Sequence, residues 1–493
     1  MLNTAQKDES DLVRITESAQ AIFERTKARE IQLSRLLVFY ISGGLLFMLL
    51  PGTFLGVWNL VSISSRRAAE STSPAWIQAH GHAQILGWIG TFILGIGYYS
   101  IPKLRGGMKP YGIWTAWLTG VLWMSGVLLR WCANVYLWHW RALLPVSAVL
   151  ELAAFLMFFR TVSQHKPEDS GAAKLETWVL VVIAGTTGLL ATLLFNLAAC
   201  LWLASKATSP ALPQALDQRF LVLAAWGFMV PIIWGFSAKW LPTFLGIVAP
   251  HSRLLLRTVA VYMGAILMGL AGMFRVATAL ILACVLLSIC ALRIFAATER
   301  PAKVKGIHAS FPFFVRSAYL WLAIAASLGV WAANATNPSG IWGSSRHALT
   351  VGFVSMMVFT VGQRILPAFS GMKLLFSPKL MFAGLVLLSL GCMLRVSGEV
   401  LAYQNVFGAA WTWLRYSALL ELAGVTLFAI NLVATFLSDP PSLRSIAKGR
   451  EPQYGLGVYR ESKRRRIPAA AVVRPDASNN KEPGSGTGAT DAL

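Results

Sequence analysis

The sequence predicts an all-α, polytopic membrane protein: a bundle of about 12 transmembrane helices built from three four-helix units. Three observations predict it. Of 493 residues, 56% are hydrophobic and only 13% charged, with a mean hydropathy of +0.59, a balance outside the range of soluble globular domains. Apolar runs of about 20 residues, the length that crosses a bilayer, follow one another along most of the chain. One sequence frame also returns in the second and tenth runs and, in part, in the sixth.

In chain order, residues 8–35 interleave Glu and Arg with spaced apolar positions (Leu12, Ile15, Ala19, Phe23). This is the pattern either of an amphipathic surface helix or of a solvated leader. The charged start argues against a cleavable signal peptide. Bilayer-length runs then lie at 36–63, 76–101, 111–132, 141–160, 176–204, 219–240, 254–274, 276–297, 315–335, 345–368, 379–397 and 412–437. Residues 438–493 turn rich in Pro, Gly, Ser and Lys, too polar to bury a core, and are expected to form a disordered basic tail.

The formal charge of +22 is distributed unevenly over the loops. Those after even-numbered runs hold Lys103, Arg105 and Lys109, then Lys166 and Lys174, Lys239, Arg253 and Arg257, Arg300, Lys303 and Lys305, and Lys373 and Lys379. Positive loops stay on the cytoplasmic side, so a multi-pass membrane protein with both termini cytoplasmic is expected. The Lys463 to Arg466 run adds a contact with anionic membrane lipid. Nineteen Trp suit interfacial aromatic belts. Five scattered Cys form neither a disulfide framework nor a thiolate metal site. No phosphate loop or nucleophile elbow is present, and the basic tail lacks the aromatic interleaving of a nucleic-acid binder, so no nucleic-acid partner is expected.

The repeat organises the membrane segment into units of about 36–160, 176–297 and 315–437. The second run reads His82-Ala83-x-x-x-Gly87 followed by Pro102 and Gly106, and the tenth reads His347-Ala348-x-x-x-Gly352 followed by Pro367 and Gly371, at identical spacing. In the sixth run, Gly227, Pro242 and Gly246 keep the frame, but Val222 and Leu223 stand in place of His and Ala. Arg130 and Arg395 each follow the frame's proline by 28 residues, with Arg275 a looser equivalent. Glu151 in SAVLELA and Glu421 in SALLELA match as well. Three parallel copies of even helix number wind round a pseudo-threefold axis, unlike the twofold or inverted repeats of secondary transporters.

Runs two and ten cross in the same direction, so His82 and His347 share one depth. Intramembrane ionisable groups are functional candidates by default, and two facing imidazoles are the arrangement that holds a heme iron from both sides. Gly87, Gly90, Gly95 and Gly352 would admit either a flat macrocycle or a neighbouring helix, and Arg130 and Arg395 would meet the heme propionates. The plainer alternative has each His bonded to a neighbouring helix and each Arg reaching for the interface. His80 points about 200° away from His82, so the two cannot serve one iron. With His139 it is a candidate copper ligand, or else an interface residue. Glu151 and Glu421 either join helices or carry protons. Contacts are favoured, because the sequence shows no further carboxylate at depth to complete a relay.

These motifs, HGHAQILGWIGTFILG and RHALTVGFVSMMVFTVGQRILPAFSG, resemble heme-copper oxidase subunit I and, more closely, its NnrS-like relatives, over residues 36–437. The resemblance implies a low-spin heme b held by His82 and His347, possible copper, and a part in nitric oxide handling or electron transfer with a separate electron donor. The oxidase positions for copper and high-spin heme ligands carry Val222 and Ser345 here, which implies that no complete oxygen-reducing centre is present. The competing expectations are an oxidase-like oxidoreductase subunit, a cofactor-free twelve-helix transporter, recognisable by broken helices, and a copper-handling protein.

Overall fold

In the computed structural model of the protein, residues 2–104, 112–163 and 175–439 are described. The tail expected to be disordered lies outside them from residue 440 on, as do Arg105, Gly106, Lys109, His165, Lys166 and Lys174. Among the described residues there is no strand, and 12 helices are long and apolar enough to cross a membrane. They are α1 (Phe23–Arg66), α2 (Pro74–Ile101), α3 (Ile113–Val135), α4 (Trp140–Ser163), α5 (Thr177–Lys206) and α6 (Gln214–Leu245). The rest are α7 (Ser252–Leu270), α8 (Phe274–Leu292), α9 (Phe311–Asn334), α10 (Ile341–Phe369), α11 (Pro378–Tyr403) and α12 (Ala410–Leu437). Each coincides with one expected run. The leader is helical and continuous with the first span: a single α-helix runs from Leu2 to Phe47 and carries the chain into α1.

The repeat is visible in the packing. In α2, α6 and α10, 78% of the apolar window is buried, against 39–61% in the other nine spans, so the second helix of each unit is its inner one. The most extensive helix contacts join the third and fourth helices of each unit, α3 with α4, α7 with α8 and α11 with α12.

The inner helices share a feature that spacing alone did not reveal. Each widens into a π-helical segment at the same place in its unit, Ala83–Gly90 in α2, Val222–Met229 in α6 and Ala348–Ser355 in α10. Such segments are rare and gather at functional sites. A fourth, Met48–Phe54 in α1, contains Pro51, whose missing N–H cannot make the ordinary helical bond. The helices are widened and remain continuous, so the broken helices expected of a transporter do not appear among the described residues.

The Pro and Gly of the repeat end the inner helices. Gly246 and Gly371 adopt φ +70° and +105° just past the ends of α6 and α10, a left-handed conformation that glycine takes without strain. At Gly246 the chain is also crowded, since a Cβ there would lie 2.0 Å from the Arg300 carbonyl oxygen.

Candidate functional site: two buried polar clusters

The third and fourth helices of units one and three are packed by the same device. A Cβ on Gly126 of α3 would fall 2.8 Å from Glu151 Cγ and 2.9 Å from the Ser147 carbonyl, and one on Gly391 of α11 would fall 2.7 Å from Glu421 Cγ and 3.1 Å from the Ser417 carbonyl. Each glutamate therefore lies against a glycine one turn before its unit's arginine, Arg130 or Arg395. The sequence equivalence of these residues is a structural one.

From this common frame the clusters diverge. In unit one, Glu151 is fully buried and His82 is 4% exposed. His82 Nε2 lies 2.7 Å from Glu151 Oε1, and Asn196 of α5 donates to Glu151 Oε2 at 3.1 Å. Arg130 donates to Asn196 Oδ1 at 3.0 Å and also to Cys200 Sγ. The chain His82, Glu151, Asn196, Arg130 thus links α2, α4, α5 and α3 and satisfies both carboxylate oxygens, as burial in an apolar bundle requires, while His82 Nδ1 and Arg130 Nε are buried without a hydrogen-bond partner.

In unit three, His347 Nδ1 donates to the Gly343 carbonyl at 2.8 Å, one turn back in α10. Its Nε2 lies 3.3 Å from Arg395 Nη2. Glu399 of α11 reaches His347 at 3.4 Å and Arg395 at 3.5 Å, and Glu421 lies within electrostatic reach of all three. This cluster is less closed. Arg395 Nε and Nη1 and Glu421 Oε1 are buried without a hydrogen-bond partner, and 25% of the His347 side chain is free of protein contact against 3% for His82.

His82 turns to Glu151 of α4, and the other histidine of α2, His80, lies within electrostatic reach of His347 and Arg395. Its Nδ1 donates to the Gly52 carbonyl of α1 at 2.8 Å. Its ring packs on α1 so closely that a Cβ at Gly56 would lie 2.5 Å from His80 Cε1. The reason is the angular separation already noted: residues two apart on a helix face opposite neighbours, and α4 supplies a carboxylate on one side while α1 supplies glycines on the other. Arg130 likewise belongs with Asn196 and Cys200, not with the His347 cluster. Gly87, Gly90, Gly95 and Gly352 serve neighbouring helices, facing Phe47, Trp123, Tyr40 and Trp321 respectively.

Sequence reasoning missed two carboxylates. Glu399 follows Arg395 by one turn, a spacing that could have signalled an ion pair, but it falls past the expected end of its run at 397. Asp217 falls before the expected start of α6 at 219. In the fold both are drawn in, with Asp217 in electrostatic reach of Arg130 and Arg346 and Glu399 in reach of Arg346 and Arg395. Glu151, Arg130, Asp217, Arg346, Glu399 and Arg395 therefore form a belt of alternating charge across the three units. Further carboxylates do stand at depth, contrary to expectation.

The copper set His80, His82 and His139 is not assembled. His80 faces α1, His82 faces α4, and His139 sits exposed between α3 and α4 at φ +34°. Among the described residues no group of three or more His, Cys, Asp or Glu is placed to hold a metal ion. A porphyrin supplies four of its iron's six ligands, so it asks the protein for two donors only. His80 and His347 are the candidates: each has Nδ1 fixed by a backbone carbonyl, the bond that orients a ligating imidazole, and the Nε2 of His347, which accepts from Arg395 Nη2 at 3.3 Å, would have to exchange that bond for the iron. His82 has its Nε2 committed to Glu151.

The comparisons with known proteins agree with the architecture. A heme-copper terminal oxidase dimer solved by cryo-EM superposes with a TM-score of 0.62 at 14% identity, covering 85% of this chain and 90% of that one, a likeness of fold. No curated protein matches the chain. The family model described as NnrS protein matches residues 37–439, nearly all of the membrane bundle, and the chain belongs to the NnrS family.

Proposed function

We propose that this protein is a heme b membrane protein of the bacterial inner membrane, acting in electron transfer or in the response to nitric oxide, in which His80 and His347 would hold the heme iron. The observation that carries the reading is the matched state of these two side chains, each anchored through Nδ1 to a carbonyl and within electrostatic reach of the other. When bound, the heme supplies a one-electron iron couple. The chain's own residues do the rest. α1 holds the His80 ring, Gly343 holds that of His347, and Arg395, whose Nε is paired with Glu399, would be the propionate partner through Nη1, which no protein group satisfies. Glu399 and Glu421 beside Arg395 keep the buried cluster near neutrality.

With both axial positions taken and Val222 and Ser345 in place of oxidase histidines, oxygen reduction is not the activity this site supports. The electron donor is a separate protein, and the basic loops support an orientation with cytoplasmic termini.

Heme content of His80→Ala, His82→Ala and His347→Ala, read by pyridine hemochrome and reduced-minus-oxidised spectra, tests the assignment. The first and third should lose a six-coordinate b-type spectrum while His82→Ala keeps it. Loss in His82→Ala with retention in His80→Ala would return the ligand role to His82. Carbon monoxide should leave the reduced spectrum of the wild-type protein unchanged.

A further inference from the structure

α6, α8, α9 and α10 line a cavity of about 30 Å³ between the second and third units. Its walls are apolar, formed among others by Val222, Ala225, Ala277, Ile281 and Ala326. A water needs roughly 10–15 Å³ of such volume and two to four polar partners, so there is room for two or three heavy atoms and little to hydrogen-bond them. Most of the polar groups present are engaged: Ser345 Oγ donates to the Ala325 carbonyl at 2.8 Å, Thr278 Oγ1 to the Phe274 carbonyl at 2.8 Å, and Arg346 to Gln218, while Arg346 Nε is buried without a partner.

The charge of Arg346 does not make this an anion site, because Asp217 and Glu399 already oppose it. Gly329 in the middle of α9 supports the space as a built feature. A Cβ there would meet only Ser345 Oγ at 3.5 Å and Thr278 Cγ2 at 3.7 Å, so alanine would fit and would favour the helix by about 1 kcal/mol. What the glycine keeps is volume.

We propose that this cavity is a docking site for a small, neutral, apolar gas molecule, separate from the histidine cluster. The gas-handling role rests on the reading above, in which two imidazoles leave the iron no open position and a small ligand must be held elsewhere. The cavity and the cluster share a wall at α10: Ser345 and Arg346 line the one and His347 belongs to the other.

Xenon is the probe. Crystals of the full-length protein pressurised with xenon should show an anomalous peak between Val222, Ala277 and Ala326. Gly329→Val and Ala225→Leu, both checked for unaltered thermal unfolding, should reduce its occupancy at least about tenfold, since each fills the space. His347→Ala should leave the peak in place even where heme is lost, so failure of the heme reading and failure of the cavity reading give different results. Ordered water or a lipid chain in the cavity, xenon only in lipid-facing grooves, or a peak that survives both filling variants would overturn the proposal.

Discussion

Units one and three start from the same residues and end in opposite states. His82, Arg130 and Glu151 match His347, Arg395 and Glu421 in sequence and in how each glutamate packs on a glycine. Yet Glu151 is bonded through both oxygens, whereas Glu421 Oε1 has no partner; both clusters also hold buried unbonded nitrogens, His82 Nδ1 and Arg130 Nε in the first and Arg395 Nη1 in the third. The difference comes from the flanking unit. α5 brings Asn196 to the first cluster, while the third faces α1, whose Gly52 and Gly56 offer a carbonyl and open backbone but no polar side chain. One copy of the repeat thus ties its carboxylate through both oxygens and the other leaves one oxygen unbonded.

Removing the carboxylate should break the comparison most sharply. Glu151→Leu leaves His82 Nε2 and the Asn196 amide buried without their acceptor and removes a carboxylate from the Arg130 cluster, and should cost about 3–5 kcal/mol, read as unfolding in detergent. Glu421→Leu should cost about 1 kcal/mol, because Oε1 makes no hydrogen bond and Glu399 still opposes Arg395. Equal losses would show that the two clusters are energetically alike. Adding Arg130→Met to Glu151→Leu should recover most of the loss, since an apolar replacement of a whole buried pair is often neutral.

The helix ends give a comparison of intermediate size. Gly246→Ala and Gly371→Ala both force a side chain into the left-handed region at roughly 1–2 kcal/mol, but only Gly246 also meets a carbonyl oxygen at 2.0 Å, while the space around Gly371 is open. The unit-two variant should be the less stable by at least about 1 kcal/mol. Comparable melting temperatures would mean that the loop carrying Arg300 yields freely. The smallest expected effect is that of His82→Gln, about 1 kcal/mol of stability with heme content unchanged. A loss of heme there would blur the division between structural and ligand-holding histidines.

Much of this architecture was legible in the chain. Lipid gives the backbone no hydrogen-bond partner, so runs of apolar residues have to become helices that cross it, and all 12 do. The frame of His, Gly and Pro likewise marked the three inner helices, because a repeated environment selects a repeated pattern. The limits were local ones. A boundary misplaced by two residues hid Glu399 and Asp217, and no residue pattern announced the π-helical segments of α2, α6 and α10.

The sequence by itself determined the membrane bundle, its threefold organisation and the fact that His80 and His82 diverge, because these follow from hydrophobicity and from the angular period of a helix. Only the tertiary structure decided which of the two turns toward His347. That choice depends on whether α1 or α4 lies on a given side of α2, and residues far apart in sequence, Gly56 and Glu151, set it by closeness of approach on one side and by the need of a buried carboxylate for a partner on the other.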